Sequence, residues 1–188
     1  MTRPSPTETS TSWSTPLDKA KSRLPLGEIT LFGVLGAITF ALQMAMSGLP
    51  NIEPVSLLVL VYAVVFGKKC LYPIYVFVVM DILFFGIQMW NVNYLYVWAI
   101  LALASLWMKD MKHPLSWAIL SAVFGLLFGA LCAPVYLFTG GIGFAVSWWV
   151  SGIPYDLLHC AGNFVMVLIL FVPLRKLLQK LYLKLQTA

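Results

Sequence analysis

Three side chains with chemical capacity share one face of a predicted helix in the C-terminal third of the chain. Asp156, His159 and Asn163 lie at positions i, i+3 and i+7, which a helix brings to one side. Asp156 could hold one imidazole nitrogen of His159 and leave the other for a ligand. A hydrogen-bond cluster that only packs the helix, and a proton-coupling site, are the alternatives. Asp81 lies in another apolar segment and has the same ambiguity, and ionisable groups in such segments usually face the interior of a bundle.

Acidic, amide and aromatic side chains also recur in the short segments between apolar stretches. An aromatic belt at the lipid headgroups would account for about half of the rings. Such a belt does not need carboxyl and amide groups between its rings, whereas a hydrated ligand pocket does. The further candidate substrate-binding residues are Asn51, Glu53, Gln88, Trp90, Asn91, Asn93, Tyr94, Trp98, Trp148, Trp149 and Tyr155.

The sequence contains none of the spacings expected of a catalytic or metal site. There is no G-x-S-x-G or H-E-x-x-H pattern, and the only other histidine, His113, is far from His159. The Gly67-Lys68 pair lacks the earlier glycine of a phosphate-binding loop, because Tyr62 occupies that position. We therefore predict no catalytic residue, no metal and no cofactor, and an energy source supplied by a partner or an ion gradient.

Composition places the chain among membrane proteins. Of its 188 residues, 61% are hydrophobic and 10% are charged, with a mean hydropathy of +0.89, whereas soluble domains are about 25% charged. Only helices and closed barrels satisfy the backbone in lipid, and these segments lack the alternation of barrel strands. We predict an all-α integral membrane protein with six transmembrane helices. The apolar segments lie at about 29–48, 54–67, 71–88, 94–108, 115–137 and 157–174.

The basic residues predict the orientation of these helices. If six segments cross the membrane, all 12 Lys and Arg residues fall on one side, and positively charged loops stay in the cytoplasm. Both termini are then cytoplasmic, in a multi-pass protein of the cell membrane. The same argument keeps the short second segment as a crossing helix, because otherwise Lys68 and Lys69 would lie outside. The net charge of +5 suits lipid headgroups rather than nucleic acid.

Three regions follow from composition. Residues 1–27 are rich in Ser, Thr and Pro, which predicts a disordered cytoplasmic tail. Residues 28–174 form the six-helix membrane domain, and residues 175–188 form a basic amphipathic helix along the inner membrane surface. The glycines of 139–143 break the chain between the fifth and sixth segments. The apolar stretch 144–150 is then expected to lie in the interface or to fold back as a lid.

Small side chains follow one face of the first helix. Gly33, Ala37, Ala41 and Ala45 are spaced four residues apart, and we call them the first-helix stripe. Another helix could approach such a stripe closely, so that van der Waals contact drives association in lipid. Packing within the bundle and docking onto a partner protein are both compatible with this pattern.

These features together resemble the substrate-binding membrane subunits, or S components, of energy-coupling factor (ECF) vitamin transporters. The resemblance rests on the Ala37-xxx-Ala41-xxx-Ala45 repeat, on 49–55 (LPNIEPV) and on 151–163 (SGIPYDLLHCAGN), and it extends from about residue 27 to the C-terminus. It implies a high-affinity vitamin binder with an outward pocket, which topples in the membrane to carry that pocket inward. Its first-helix stripe would dock onto a coupling transmembrane subunit that carries two ATPase subunits, and those partners would use the ATP.

Charge narrows the choice of cargo. The outer segments contain Glu53, Asp81 and Asp156 but no Lys or Arg, which disfavours anionic vitamins such as folate, biotin or pantothenate. A cation such as thiamine would suit carboxylates and Trp faces. Cobalamin would suit many amide and Tyr partners, and a general similarity to the cobalamin-specific S components favours it. The alternatives are thiamine or another cationic or neutral vitamin, a non-transport membrane scaffold and, least favoured, an intramembrane enzyme.

Overall fold

The computed structural model describes residues 24–49 and 51–187, and within these ranges the chain is helical with no strand. The prediction of an all-α fold is confirmed for this part of the chain. The predicted tail, 1–27, lies outside the described residues except for its last four. The helices are α1 (Leu26–Ala45), α2 (Val55–Phe66), a 3₁₀ turn (Gly67–Cys70), α3 (Leu71–Phe85), α4 (Met89–Trp107) and α5 (Pro114–Thr187).

Helix α5 is a hairpin of two arms that meet at Gly141. The backbone there has φ 73° and ψ −177°, a conformation that glycine adopts without steric cost. The first arm (114–140) and the second arm (142–187) run antiparallel, since the Trp117 ring stacks on Phe171 at 5.1 Å and Tyr136 stacks on Trp148 at 4.1 Å. The predicted helix break is therefore confirmed. Of the two expectations for 144–150, the lid is wrong, because one glycine reverses the chain and 144–150 belongs to the second arm. Its placement in the membrane interface stays a prediction.

Helix α2 is short because protein surrounds it. Ten of its twelve residues are buried, and it contacts α1, α4 and α5. A helix that is apolar on all its faces is typical of such a central position. Its length need not match the lipid, because its ends are enclosed by other parts of the bundle. This placement explains the short second apolar segment.

Ring pairs and hydrogen bonds fix the relative directions of neighbouring helices. Consecutive helices alternate in direction, and α1 consequently runs parallel to α3. The pairs that define these directions are Gln43–Glu53 and Phe32–Phe66 for α1 and α2, Phe32–Tyr72 and Phe40–Phe84 for α1 and α3, Asp81–Asn91 and Phe77–Trp98 for α3 and α4, and Tyr96–Leu131 and Trp98–Phe124 for α4 and the first arm of α5.

Four continuous helical stretches of the described chain are long and apolar enough to cross a membrane. They are Leu26–Ala45, Val55–Phe85, Met89–Trp107 and Pro114–Thr187. The second of them contains α2, the 3₁₀ turn and α3, and the fourth contains both arms of α5. This arrangement is consistent with a multi-pass membrane protein.

The C-terminal basic segment continues the second arm of α5 as far as Thr187. Its residue Leu178 is buried, and the Tyr182 hydroxyl donates to Glu28 Oε1 at 2.7 Å. Lys69 Nζ lies 2.7 Å from both oxygens of the same carboxylate. We call Glu28, Lys69 and Tyr182 the Glu28 clasp. It joins the start of α1, the 3₁₀ turn and the end of α5.

The contact of α1 with α3 yields a testable prediction at two glycines of α1. A Cβ added at Gly36 would lie 2.5 Å from Val76 Cγ1 and 2.8 Å from the Pro73 carbonyl oxygen, whereas one added at Gly33 meets nothing within 4 Å. Gly36→Ala should therefore separate the two helices and lower the free energy of unfolding by about 1–3 kcal/mol. Thermal unfolding in detergent should show a decrease of several degrees for Gly36→Ala and almost none for Gly33→Ala. Equal shifts for the two variants would contradict this packing.

Candidate functional site

A cleft of about 330 Å³ opens at one end of the bundle. Its walls are the end of α1, the connection from α1 to α2, the end of α3 and the start of α4. The connection contributes half of the lining residues. The lining residues are Gln43, Met44, Met46, Ser47, Leu49, Asn51, Ile52, Glu53, Asp81, Phe85, Trp90 and Tyr94.

Glu53 lies on one side of the cleft, just before α2 begins. Gln43 Nε2 donates to Glu53 Oε2 at 3.2 Å and also lies 3.0 Å from the Tyr94 hydroxyl oxygen. His159 Nε2 is 3.8 Å from Glu53 Oε1, which is too long for a hydrogen bond. Burial raises the pKa of Glu53 to about 7. Near neutral pH this carboxyl group therefore exchanges readily between its charged and neutral forms.

Asp81 faces Glu53 from α3, and its side chain is held by the start of α4. Asp81 Oδ2 accepts from Asn91 Nδ2 at 2.7 Å and from Trp90 Nε1 at 3.3 Å. Asn91 also forms a capping box with Gln88 at the first turn of α4, which satisfies backbone N–H groups that the helix leaves free. The positive end of the α4 dipole further favours a carboxylate at this place. Thus Gln88 and Asn91 position Asp81.

Aromatic rings form the remaining wall of the cleft. Phe85 and Trp90 meet edge to face at 6.2 Å, and Tyr94 meets Trp98 in the same way at 5.4 Å. Trp98 has no exposed surface and lies behind Tyr94 in the core. Among the described residues, its indole nitrogen has no hydrogen-bond partner. The wall therefore consists of three rings, with Trp98 as their support.

The structure brings five of the predicted binding residues to this cleft, namely Asn51, Glu53, Asp81, Trp90 and Tyr94. Asn93 lies elsewhere on α4, where its Oδ1 is 3.0 Å from the Tyr96 hydroxyl. Trp148, Trp149 and Tyr155 lie at the start of the second arm of α5. Trp148 stacks on Tyr136, while Trp149 and Tyr155 are exposed on the bundle surface. These four residues stay apart from the cleft.

Asp156 and His159 are buried in the second arm of α5 and do not line the cleft, and no hydrogen bond joins them. Asp156 Oδ1 accepts from the backbone N–H of Gly129 at 3.0 Å, and neither ring nitrogen of His159 has a partner among the described residues. The predicted Asp156–His159 hydrogen bond is therefore wrong. The physical reason is the missing Cβ of Gly129, since a Cβ there would lie 2.5 Å from Asp156 Oδ2. The first arm can thus draw the carboxylate away from the imidazole.

Asn163 joins three parts of the bundle. Its Nδ2 is 3.2 Å from Ser56 Oγ of α2 and 3.2 Å from the Ser121 carbonyl oxygen of the first arm. Hydrogen bonds of this kind hold helices together where the surroundings are apolar. For Asn163, the geometry favours the packing alternative over ligand contact.

Several lining residues were missed by the sequence analysis. Gln43 is the only amide side chain of α1, and a polar group in so apolar a helix was a usable signal. The others are mostly apolar and carry no such signal. They are Met44, Met46, Ser47, Leu49, Ile52 and Phe85.

The first-helix stripe is largely uncovered by the rest of the bundle. Gly33 and Ala37 are half-buried, and Ala41 and Ala45 are exposed. The close approach of α1 to α3 instead uses Gly36, which is buried against Val76. Packing within the bundle therefore does not account for the exposed part of the stripe, Ala41 and Ala45.

No group of three or more His, Cys, Asp or Glu side chains within the described ranges has the arrangement of a metal site. No protein-family model, no curated protein and no solved structure matches this chain. The site must therefore be interpreted from its own residues.

The raised pKa of Glu53 predicts a pH dependence of stability. Between about pH 4.5 and pH 7, folded Glu53 keeps a proton that the unfolded chain releases, so its contribution to stability falls as the pH rises. We expect the unfolding temperature of the wild type in detergent to fall, relative to Glu53→Gln, when the pH is raised through this range. Asp81, Tyr94 and His159 also face Glu53 and are shared by both proteins, so the difference isolates Glu53. Parallel pH curves would contradict the prediction.

Proposed function

We propose that this chain is the vitamin-binding S component of an ECF-type importer in the bacterial cell membrane. The observation that carries the proposal is the pairing of two features on α1. A cleft with carboxylates and aromatic rings lies at one end of the bundle, and the first-helix stripe stays open on its surface. A solute-binding subunit that works with a separate energising partner needs both a binding site and a docking face.

The proposed topology has six spans, formed by α1 to α4 and the two arms of α5. The alternation of helix direction supports it, because each consecutive helix then crosses back through the membrane. With both termini in the cytoplasm, the Glu28 clasp lies at the inner end and the cleft opens outward. The basic loops then all lie on the cytoplasmic side, as positive charge requires.

The proposed partner is a coupling transmembrane subunit that carries two ATPase subunits. Small side chains let a partner helix approach closely, and this close contact replaces the hydrophobic drive that lipid removes. The open space next to Gly33 supports such an approach, because even an added Cβ meets nothing within 4 Å. In this proposal ATP is used only by the partner subunits, and the vitamin is cargo rather than cofactor.

The size of the cleft bears on the cargo. Ligand sites commonly have volumes of about 300–1,000 Å³, and the cleft is near the lower limit with about 330 Å³. Cobalamin, which the sequence resemblance favours, would require the connection from α1 to α2 to move outward. A smaller vitamin would fit without that movement.

Calorimetric titration of the detergent-purified protein with a vitamin panel, beginning with cobalamin and thiamine, tests the proposal. One-to-one binding of a single vitamin without ATP would support a substrate-binding subunit and name its cargo. If no vitamin of the panel binds to protein that is shown to be folded, the result would favour the membrane scaffold instead.

A bulky side chain on the stripe should separate uptake from binding. Ala41→Trp would block the approach of a partner helix without touching the cleft. We expect vitamin uptake by cells that express the complete importer to fall at least about tenfold, while the purified protein keeps its affinity within about twofold.

Ala161→Trp is the matched control, because Ala161 is an exposed alanine of the second arm of α5. This variant should leave both uptake and binding unchanged. Full vitamin uptake by the double variant Ala37→Trp, Ala41→Trp would contradict the docking hypothesis.

A further inference from the structure

We propose that the cleft binds a small organic cation that carries a flat ring. This inference rests on the proposed function, because the cation would be the solute that the importer carries. It deepens that function by assigning a chemical class to the cargo, and it makes cobalamin the less favoured occupant.

The first argument for a cation is the negative charge of the cleft. Glu53 and Asp81 line it from two sides, and none of its lining residues is Lys or Arg. In the described part of the chain, the one lysine paired with a carboxylate is Lys69, and its partner is Glu28 at the other end of the bundle. Carboxylates that leave water without a cationic partner are costly. A bound cation would supply the missing charge.

The second argument for a cation is a set of hydrogen-bond acceptors that have no donor. Each carboxylate is held through one oxygen, since Glu53 uses Oε2 and Asp81 uses Oδ2. No described residue donates to the other oxygen of either group. Gln43 Oε1 is also buried and has no partner among the described residues. Three acceptors without donors therefore belong to side chains that line one small volume, which indicates a ligand that brings N–H groups or positive charge.

His159 is an independent sign that the site is incomplete. Its side chain is buried, with a relative exposure of 1%, and it lies edge to face with Phe128 at 4.8 Å. Its Nε2 points to Glu53 Oε1 across 3.8 Å, and neither ring nitrogen has a partner in the described structure. Buried polar groups in proteins are nearly always satisfied. An imidazole without hydrogen bonds behind a carboxylate of the cleft indicates a place that a ligand or its water completes.

The rings and the size of the cleft select among cations. Phe85, Trp90 and Tyr94 present aromatic surface to it, and cations bind favourably over such faces. Met44 and Met46 add polarisable thioethers, which adapt to flat apolar groups. The volume of about 330 Å³ suits a small molecule. An inorganic ion is disfavoured, since the described residues hold no cluster of three ligating side chains.

Calorimetry with thiamine as the probe tests this inference on the detergent-purified full chain. Thiamine is an aromatic organic cation, and the comparison ligands are pyridoxine as a neutral ring, biotin as an anion, and cobalamin. We expect one-to-one binding of thiamine. Asp81→Asn and Glu53→Gln should each weaken it roughly 10- to 100-fold, because each removes a charged acceptor and keeps the side-chain shape. Asp110→Asn, which changes an exposed carboxylate outside the cleft, should leave the affinity unchanged.

A second measurement needs no variant. The affinity of the wild-type protein for thiamine should fall as the pH is lowered from about 8 to about 5.5, because protons compete with the cation for Glu53. Asp81 from α3, Tyr94 from α4 and His159 from the second arm of α5 also face Glu53.

The outcomes separate this inference from the proposed function. Binding of biotin, pyridoxine or cobalamin with no response to thiamine would overturn the cation inference and leave the importer proposal standing. The cation inference would also be overturned if the affinity for thiamine does not change with pH. It would likewise be overturned if the affinity is unchanged in both the Asp81→Asn and the Glu53→Gln variants. If folded protein binds none of the four ligands, the result would count against both proposals.

Discussion

The enclosure of α2 is the constraint on which the remainder of the structure depends. Ten of its twelve residues are buried, so α1, α4 and α5 must all pack around a short apolar rod. Its two ends then fix the two polar regions of the molecule. Glu53 lies just before its start and lines the cleft, and Phe66 lies at its end, where it meets Tyr182 of the Glu28 clasp at 4.9 Å.

Polar groups in the bundle fall into two physical classes. Some close gaps between helices, as the Thr39 hydroxyl does with the Tyr62 hydroxyl at 2.9 Å and as Asn163 does with Ser56. Such bonds stabilise helix packing where lipid removes the hydrophobic drive. The carboxylates of the cleft differ, because each has an oxygen that no described residue satisfies. The second class therefore keeps the capacity to bind a ligand, since the first already has its partners.

In the proposed importer, α1 links binding to docking. Gln43 reaches into the cleft, while Ala41 and Ala45 are exposed on the surface of the same helix. A partner that shifts α1 would also shift Gln43 and the connection that follows it. Because Gln43 holds both Glu53 and Tyr94, a small movement of α1 would loosen two walls of the cleft together. This gives a direct physical route from the docking face to release of the cargo.

Local chemistry was enough to predict the helical membrane class, the break near Gly141, and Asn51 and Glu53 as polar groups of one connection, since hydropathy and backbone freedom act over a few residues. The central place of α2, the pairing of Gln43 with Tyr94 and the true partner of Asp156 could not be predicted in this way. Gln43 meets Tyr94 across 51 residues, and Asp156 meets Gly129 across 27. Such pairings depend on how each helix is rotated against its neighbours. Rotation is set by the packing of the whole bundle, in which a single missing Cβ redirects a carboxylate.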